Sequence, residues 1–106
     1  MSQLSEILYA LSDNTRLRIL NLLSTKEHCV SDLVKIIKEN QPKISRHLAY
    51  LKNVGLVEVK SHAQRKIYFI KEDMVSNYPF IRALLDELKE KDEYISDLKA
   101  LYDKTI

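Results

Sequence analysis

Seven basic residues, Lys43, Arg46, Lys52, Lys60, Arg65, Lys66 and Lys71, fall between positions 41 and 71, with Glu58 as their single acidic neighbour. A stretch this positive attracts a polyanion, and a nucleic-acid backbone is one that such a stretch suits. The flanks do not share the bias: residues 1–40 carry five charges of each sign, and residues 72–106 carry nine acids against five bases. The formal net charge of +2 thus conceals a basic middle and an acidic end. Chance clustering on a solvated surface gives the same composition, so the charge needs a geometry before it means binding.

Other chemistries find less support. His28, His47 and His62 are spread over what reads as a loop, a helix and a hairpin, and no nucleophile, base and acid come together around them, so no enzyme is expected. Gly55 is the one glycine, which excludes both the Walker loop and the G-x-G-x-x-G nucleotide fingerprint. Cys29 is the one cysteine; it cannot close an internal disulfide and suits a reducing compartment, so a cytoplasmic location is expected. No apolar run approaches the roughly 20 residues of a membrane span, and MSQLSEILYA has no basic region ahead of an apolar one, so no membrane partner is expected. At 106 residues and 12.4 kDa the chain has room for a single domain, 1–106.

The elements that must position the basic stretch follow from periodicity. Leu4, Ile7, Leu8 and Leu11 give a first short helix, and Asp13 is placed to cap a second, whose Leu17, Ile19, Leu20, Leu22 and Leu23 form a broad buried face. Val30, Leu33, Val34 and Ile37 repeat helical spacing, and Asn40 can cap a fourth helix with Pro42 in its first turn, Ile44, Leu48 and Leu51 inward, and Gly55 after its end. Two short helices joined by a turn of about three residues make a helix-turn-helix over about 30–54. Leu56–Lys60 and Arg65–Lys71 alternate as two strands around a polar Ser61–Gln64, a basic-tipped wing over about 56–71. The fold class expected is mainly α with a small β-hairpin, a winged helix. Beyond Asn77 one helix of about 25 residues, or about 37 Å, is expected over about 78–103. Its seam of Ile81, Leu84, Leu88, Ile95, Leu98 and Tyr102, interrupted at Lys91, is too long for one small domain to cover, so a second copy of the chain is expected on it, with Leu4 and Leu8 of the first helix helping.

The chain resembles the ArsR/SmtB winged-helix repressors of bacteria and archaea in ALSDNTRLRILNLL at 10–23, CVSDL at 29–33, QPKISRHLAYLKNVGLVE at 41–58 and RKIYF at 65–69. The resemblance implies a homodimeric repressor on an inverted-repeat operator in double-stranded DNA, released by an inducer. A two-fold dimer sets its reading helices about 34 Å apart, one turn of the duplex. With Ile44, Leu48 and Leu51 inward, the outward set expected on the fourth helix is Gln41, Lys43, Ser45, Arg46, His47 and Tyr50. Gln and Arg can read adenine and guanine bidentately, Ser and His can bond a base edge or a phosphate, Lys43 with Arg65 and Lys66 of the wing suits phosphate or minor-groove contact, and Gln64 of the wing joins the DNA-binding set.

The sequence departs from the family at its inducer sites. Many arsenic- and cadmium-sensing members carry C-V-C-D-L where this chain has Cys29-Val30-Ser31-Asp32-Leu33, so one thiolate of the pair is a serine. The paired aspartate and histidine site familiar on the last helix is missing too, since no histidine follows His62. No metal cofactor is expected, although His28, Cys29 and Asp32 lie near one helix start. Cys29 reads either as a thiol activated by that helix start, hence a possible redox sensor, or as a small apolar packing residue. The alternative class is a winged-helix module that binds another protein.

Overall fold

The computed structural model describes residues 2–103. Helix α1 (Gln3–Ala10) starts where the Ser2 hydroxyl accepts the Ser5 amide, and α2 (Asn14–Leu23) starts where Asp13 accepts the Arg16 amide at 3.0 Å. Each cap satisfies an amide that the first turn leaves without an intrahelical partner. Helix α3 (Val30–Ile37) ends at Lys38, whose φ of 65° breaks the helical run, and Asn40 then caps α4 (Gln41–Asn53) by accepting the Lys43 amide at 2.8 Å. Gly55 follows at φ +88°, and a Cβ there would stand 2.9 Å from the Met74 side chain, so glycine is required both for the turn and for the close approach.

Strands β2 (Val57–His62) and β3 (Arg65–Ile70) pair antiparallel from Val57 opposite Ile70 to His62 opposite Arg65. Ala63 and Gln64 join them with both φ angles positive, the conformation whose twist suits a two-residue hairpin turn. A third, two-residue strand, β1 (His28–Cys29), lies on the other side of β3, with His28 opposite Tyr68. The sequence expectation of a loop at His28 is therefore corrected. Only a partner about forty positions away makes it a strand, and that partner leaves no local signature.

The C-terminal region needs a larger correction. In place of one helix over 78–103 the chain forms two, α6 (Phe80–Leu88) and α7 (Asp92–Asp103), after a separate α5 (Glu72–Asn77). At the second break the amides of Lys89, Glu90 and Lys91 bond carbonyls three residues back, closing tight turns instead of continuing the helix. The bend lets Leu85 and Leu88 of α6 and Tyr94 and Leu101 of α7 enter the same core as Ile7, Ile19, Leu22, Leu33, Ile44, Leu48 and Leu51. Ile81 and Leu88, expected at a dimer contact, are buried within their own subunit, so they offer nothing to a partner. Leu4, Leu8 and Tyr102 are exposed, while Leu84, Ile95 and Leu98 are half-buried.

Candidate nucleic-acid interface

Helix α4 buries Ile44, Leu48 and Leu51 completely, and at about 100° per residue this stripe fixes what the other faces present. The exposed positions of α4 are Gln41, Pro42, Arg46, Ala49, Lys52 and Asn53. Of the residues expected to face outward, Gln41 and Arg46 do so, and Ser45 is half-buried beside them. Lys43 is ion-paired with Glu39 one turn before it, which holds the Glu39 carboxyl below its usual range. His47 and Tyr50 lie on the flank turned toward α1 and α2. The His47 ring stands 3.9 Å from the Asp13 carboxylate, and Tyr50 meets Tyr9 edge to face at 6.1 Å. They depart from the expected outward set because positions 43, 47 and 50 border the buried stripe, and α1 and α2 cover that border.

The sequence reading omitted Pro42, Ala49 and Asn53, which lie four residues before, three after and seven after Arg46 on the same face. That spacing was the available signal.

The basic stretch divides by partner. Lys52 stands 3.8 Å from Glu58, and Lys60 is 2.8 Å from Glu27. Among the described residues no carboxylate lies within 4.0 Å of Arg46, Arg65, Lys66 or Lys71. Lys66 and Gln64 are exposed at the hairpin end. Arg65 also begins β3 there, and its guanidinium donates to Cys29 Sγ at 2.8 Å. Cys29 itself is buried, with Ser31 Oγ at 3.1 Å from the same sulfur. His28, on the neighbouring position, is buried with Nδ1 3.5 Å from Asp32; burial pushes its pKa below the usual value, and Asp32 opposes that. Among the described residues no group of three or more His, Cys, Asp or Glu side chains is placed to hold a metal ion.

A helix-turn-helix with an arginine, Arg46, unpaired on the exposed face of the second helix, and a basic hairpin beside it, is the arrangement of a winged helix that meets DNA. The model of the bacterial regulatory protein arsR family matches residues 13–59, from the α2 cap into β2. An uncharacterized HTH-type transcriptional regulator of Methanocaldococcus jannaschii is 39% identical over 85 residues, covering 79% of this chain and 92% of that protein. The arsenical resistance operon repressor of Staphylococcus xylosus is 33% identical over 91 residues, 86% of this chain and 85% of the relative. This chain belongs to the arsR family. Its fold agrees with that of the homodimeric winged helix-turn-helix DNA-binding domain from Mycobacterium bovis, at a TM-score of 0.69 and 30% identity, covering 85% of each chain. As an arsR-family member the chain is a winged-helix transcriptional regulator and not an enzyme. Among the described residues no helix is long and apolar enough to cross a membrane.

Proposed function

We propose that this regulator is a homodimeric repressor in the cytoplasm that binds an inverted-repeat duplex. In this reading α4 of each protomer enters a major groove, with Gln41 and Arg46 toward base edges, and the hairpin lays Gln64, Arg65 and Lys66 against the adjoining backbone. The observation that carries it is the pairing pattern: Arg46, Arg65 and Lys66 have no carboxylate within reach among the described residues, while Lys43, Lys52 and Lys60 do. Cations without a carboxylate partner are the ones able to displace counterions from phosphate without first breaking an ion pair. Ser45, His47, Lys43 and Tyr50 then act from the flank of the same helix, as backbone contacts or as supports. The unit is 1–106 as a whole, with its helix-turn-helix over about 30–54, its wing over about 56–71 and its dimer contact drawn from α1 and α7, where Leu4, Leu8, Ile95, Leu98 and Tyr102 remain at least partly open.

The metal chemistry named for the arsenic- and cadmium-resistance relatives does not fit the residues present. Ser31 stands in place of a second thiolate, and the cationic Arg65 guanidinium already donates to Cys29 Sγ. We therefore assign no metal cofactor.

The test is fluorescence anisotropy of the reduced protein on a duplex from upstream of its own gene, against a scrambled duplex, across a salt series. Binding that resists competitor and weakens linearly with the logarithm of salt supports the reading. Weak binding, equal on both duplexes, contradicts it and favours a protein partner.

A further inference from the structure

Arg16 sits on α2, yet its guanidinium meets α1 and α4. Nε donates to the Ala10 carbonyl at 2.7 Å and Nη2 to the Tyr9 carbonyl at 3.1 Å. These carbonyls close α1, and the Tyr9 carbonyl also accepts the Ser12 amide at 3.1 Å and the Ser12 hydroxyl at 2.6 Å. Nη1 lies 3.5 Å from His47 Nδ1 on α4, and the guanidinium carbon lies 4.8 Å from the centre of the Tyr50 ring and 5.7 Å from that of Tyr9. A planar cation with a rigid fork of donors can bond carbonyls in its plane while its face rests on an aromatic ring, which an ammonium cannot do. One side chain thus joins the end of α1 to the middle of α4.

We infer that Arg16 is a positioning residue for DNA reading: it fixes α4 against α1 and thereby sets the separation at which the two reading helices of a dimer meet their half-sites. The inference rests on the proposed function, in which α1 lies at the dimer contact and α4 in the groove. Symmetry doubles its consequence, because a tilt of α4 against α1 in one protomer is repeated with opposite sense in the other. Arg16 is half-buried and acts through other residues; it is not itself placed at the duplex.

The readout that isolates positioning is spacing. Wild-type protein, Arg16→Lys, Arg16→Gln and Arg46→Ala are titrated on the operator duplex and on the same duplex with one base pair inserted between half-sites, each across a salt series. Wild-type protein favours the native spacing. Both Arg16 variants are expected to lower that preference by about threefold or more, a coupling of ordinary size for residues sharing contacts, with the salt slope unchanged. Arg46→Ala is expected to weaken both duplexes alike. A smaller active fraction weakens both duplexes by the same factor, so the ratio survives partial unfolding. A second readout is the His47 titration followed by NMR. Burial is the largest influence lowering the His47 pKa, Asp13 opposes it, and Arg16, Lys43 and Arg46 add to the lowering, so Arg16→Gln is expected to raise it. An unchanged spacing preference in the Arg16 variants overturns the positioning role while leaving DNA reading intact. Full rescue by lysine overturns the fork geometry. Absence of specific binding by the wild-type protein overturns the DNA reading itself.

Discussion

Arg18 on α2 donates to both oxygens of Asp97 on α7, at 2.8 Å each, whereas Arg46 on α4 faces solvent with no carboxylate within reach among the described residues. Around Arg18 the polar groups are knitted together. Tyr94 donates its hydroxyl to Asn14, Asn14 donates to Glu93, and the buried Asn21 amide donates to the Tyr94 carbonyl. Hydrogen bonding to Asp97 raises the Arg18 pKa further, against the opposing effect of burial. The contrast separates two uses of one side chain. On the α2–α7 side the Arg18 charge is satisfied inside the protein and holds helices together; on the α4 and hairpin side Arg46 and Lys66 have no carboxylate partner among the described residues, and the proposed function assigns them to DNA. Arg16 lies between these regions and belongs to neither extreme.

The largest effect expected is on the closed side. Asp97→Ala removes both hydrogen bonds of the half-buried Arg18 charge, leaving Glu93 at 3.8 Å as its remaining carboxylate, and is expected to lower stability by about 3 kcal/mol, read by urea denaturation. A loss of only a few tenths would mean that the two regions do not differ in the way described. On the open side the order of effects reverses. Arg46→Ala is expected to leave the urea midpoint almost unmoved but to weaken specific duplex binding by about 1–3 kcal/mol. An unchanged titration would remove Arg46 from base reading. Lys66→Ala is expected to weaken specific and scrambled duplexes alike and to reduce the salt slope by about one.

Much of this division can be read in the sequence, and the unread part has a common cause. Asp13 and Asn40 are recognisable caps because a cap acts on an amide three positions ahead, and Gly55 is recognisable because its conformation is local. The basic stretch and the hairpin are likewise contiguous. Strand β1 depends on Tyr68, the break between α6 and α7 accompanies contacts of Tyr94 and Asp97 with α2, and the inward turn of His47 and Tyr50 depends on where α1 lies. Each is a long-range event. Lys91 was the one local hint of the helix break, since it interrupts an otherwise apolar seam.

The smallest expected effect sharpens the comparison from the side of titration. His28 is buried, with Nε2 lacking a hydrogen-bond partner among the described residues, and burial lowers its pKa while Asp32 partly opposes. With the folded value below the ordinary 6.5, the unfolded chain binds the extra proton between the two. Stability contributed by neutral His28 is therefore complete above 6.5 and declines as pH falls toward the folded value. His28→Gln is expected to flatten the pH dependence of the urea midpoint on the acid side of neutrality; an unaltered slope would place the titration elsewhere.

The division itself is tested most directly by NMR mapping of backbone amides on addition of a specifically bound duplex. The account predicts that shifts concentrate at Gln41, Ser45, Arg46 and Ala49 and at Gln64, Arg65 and Lys66, while the amides around Asp97 hold still. Shifts centred on α6 and α7, with α4 and the hairpin unmoved, would contradict it.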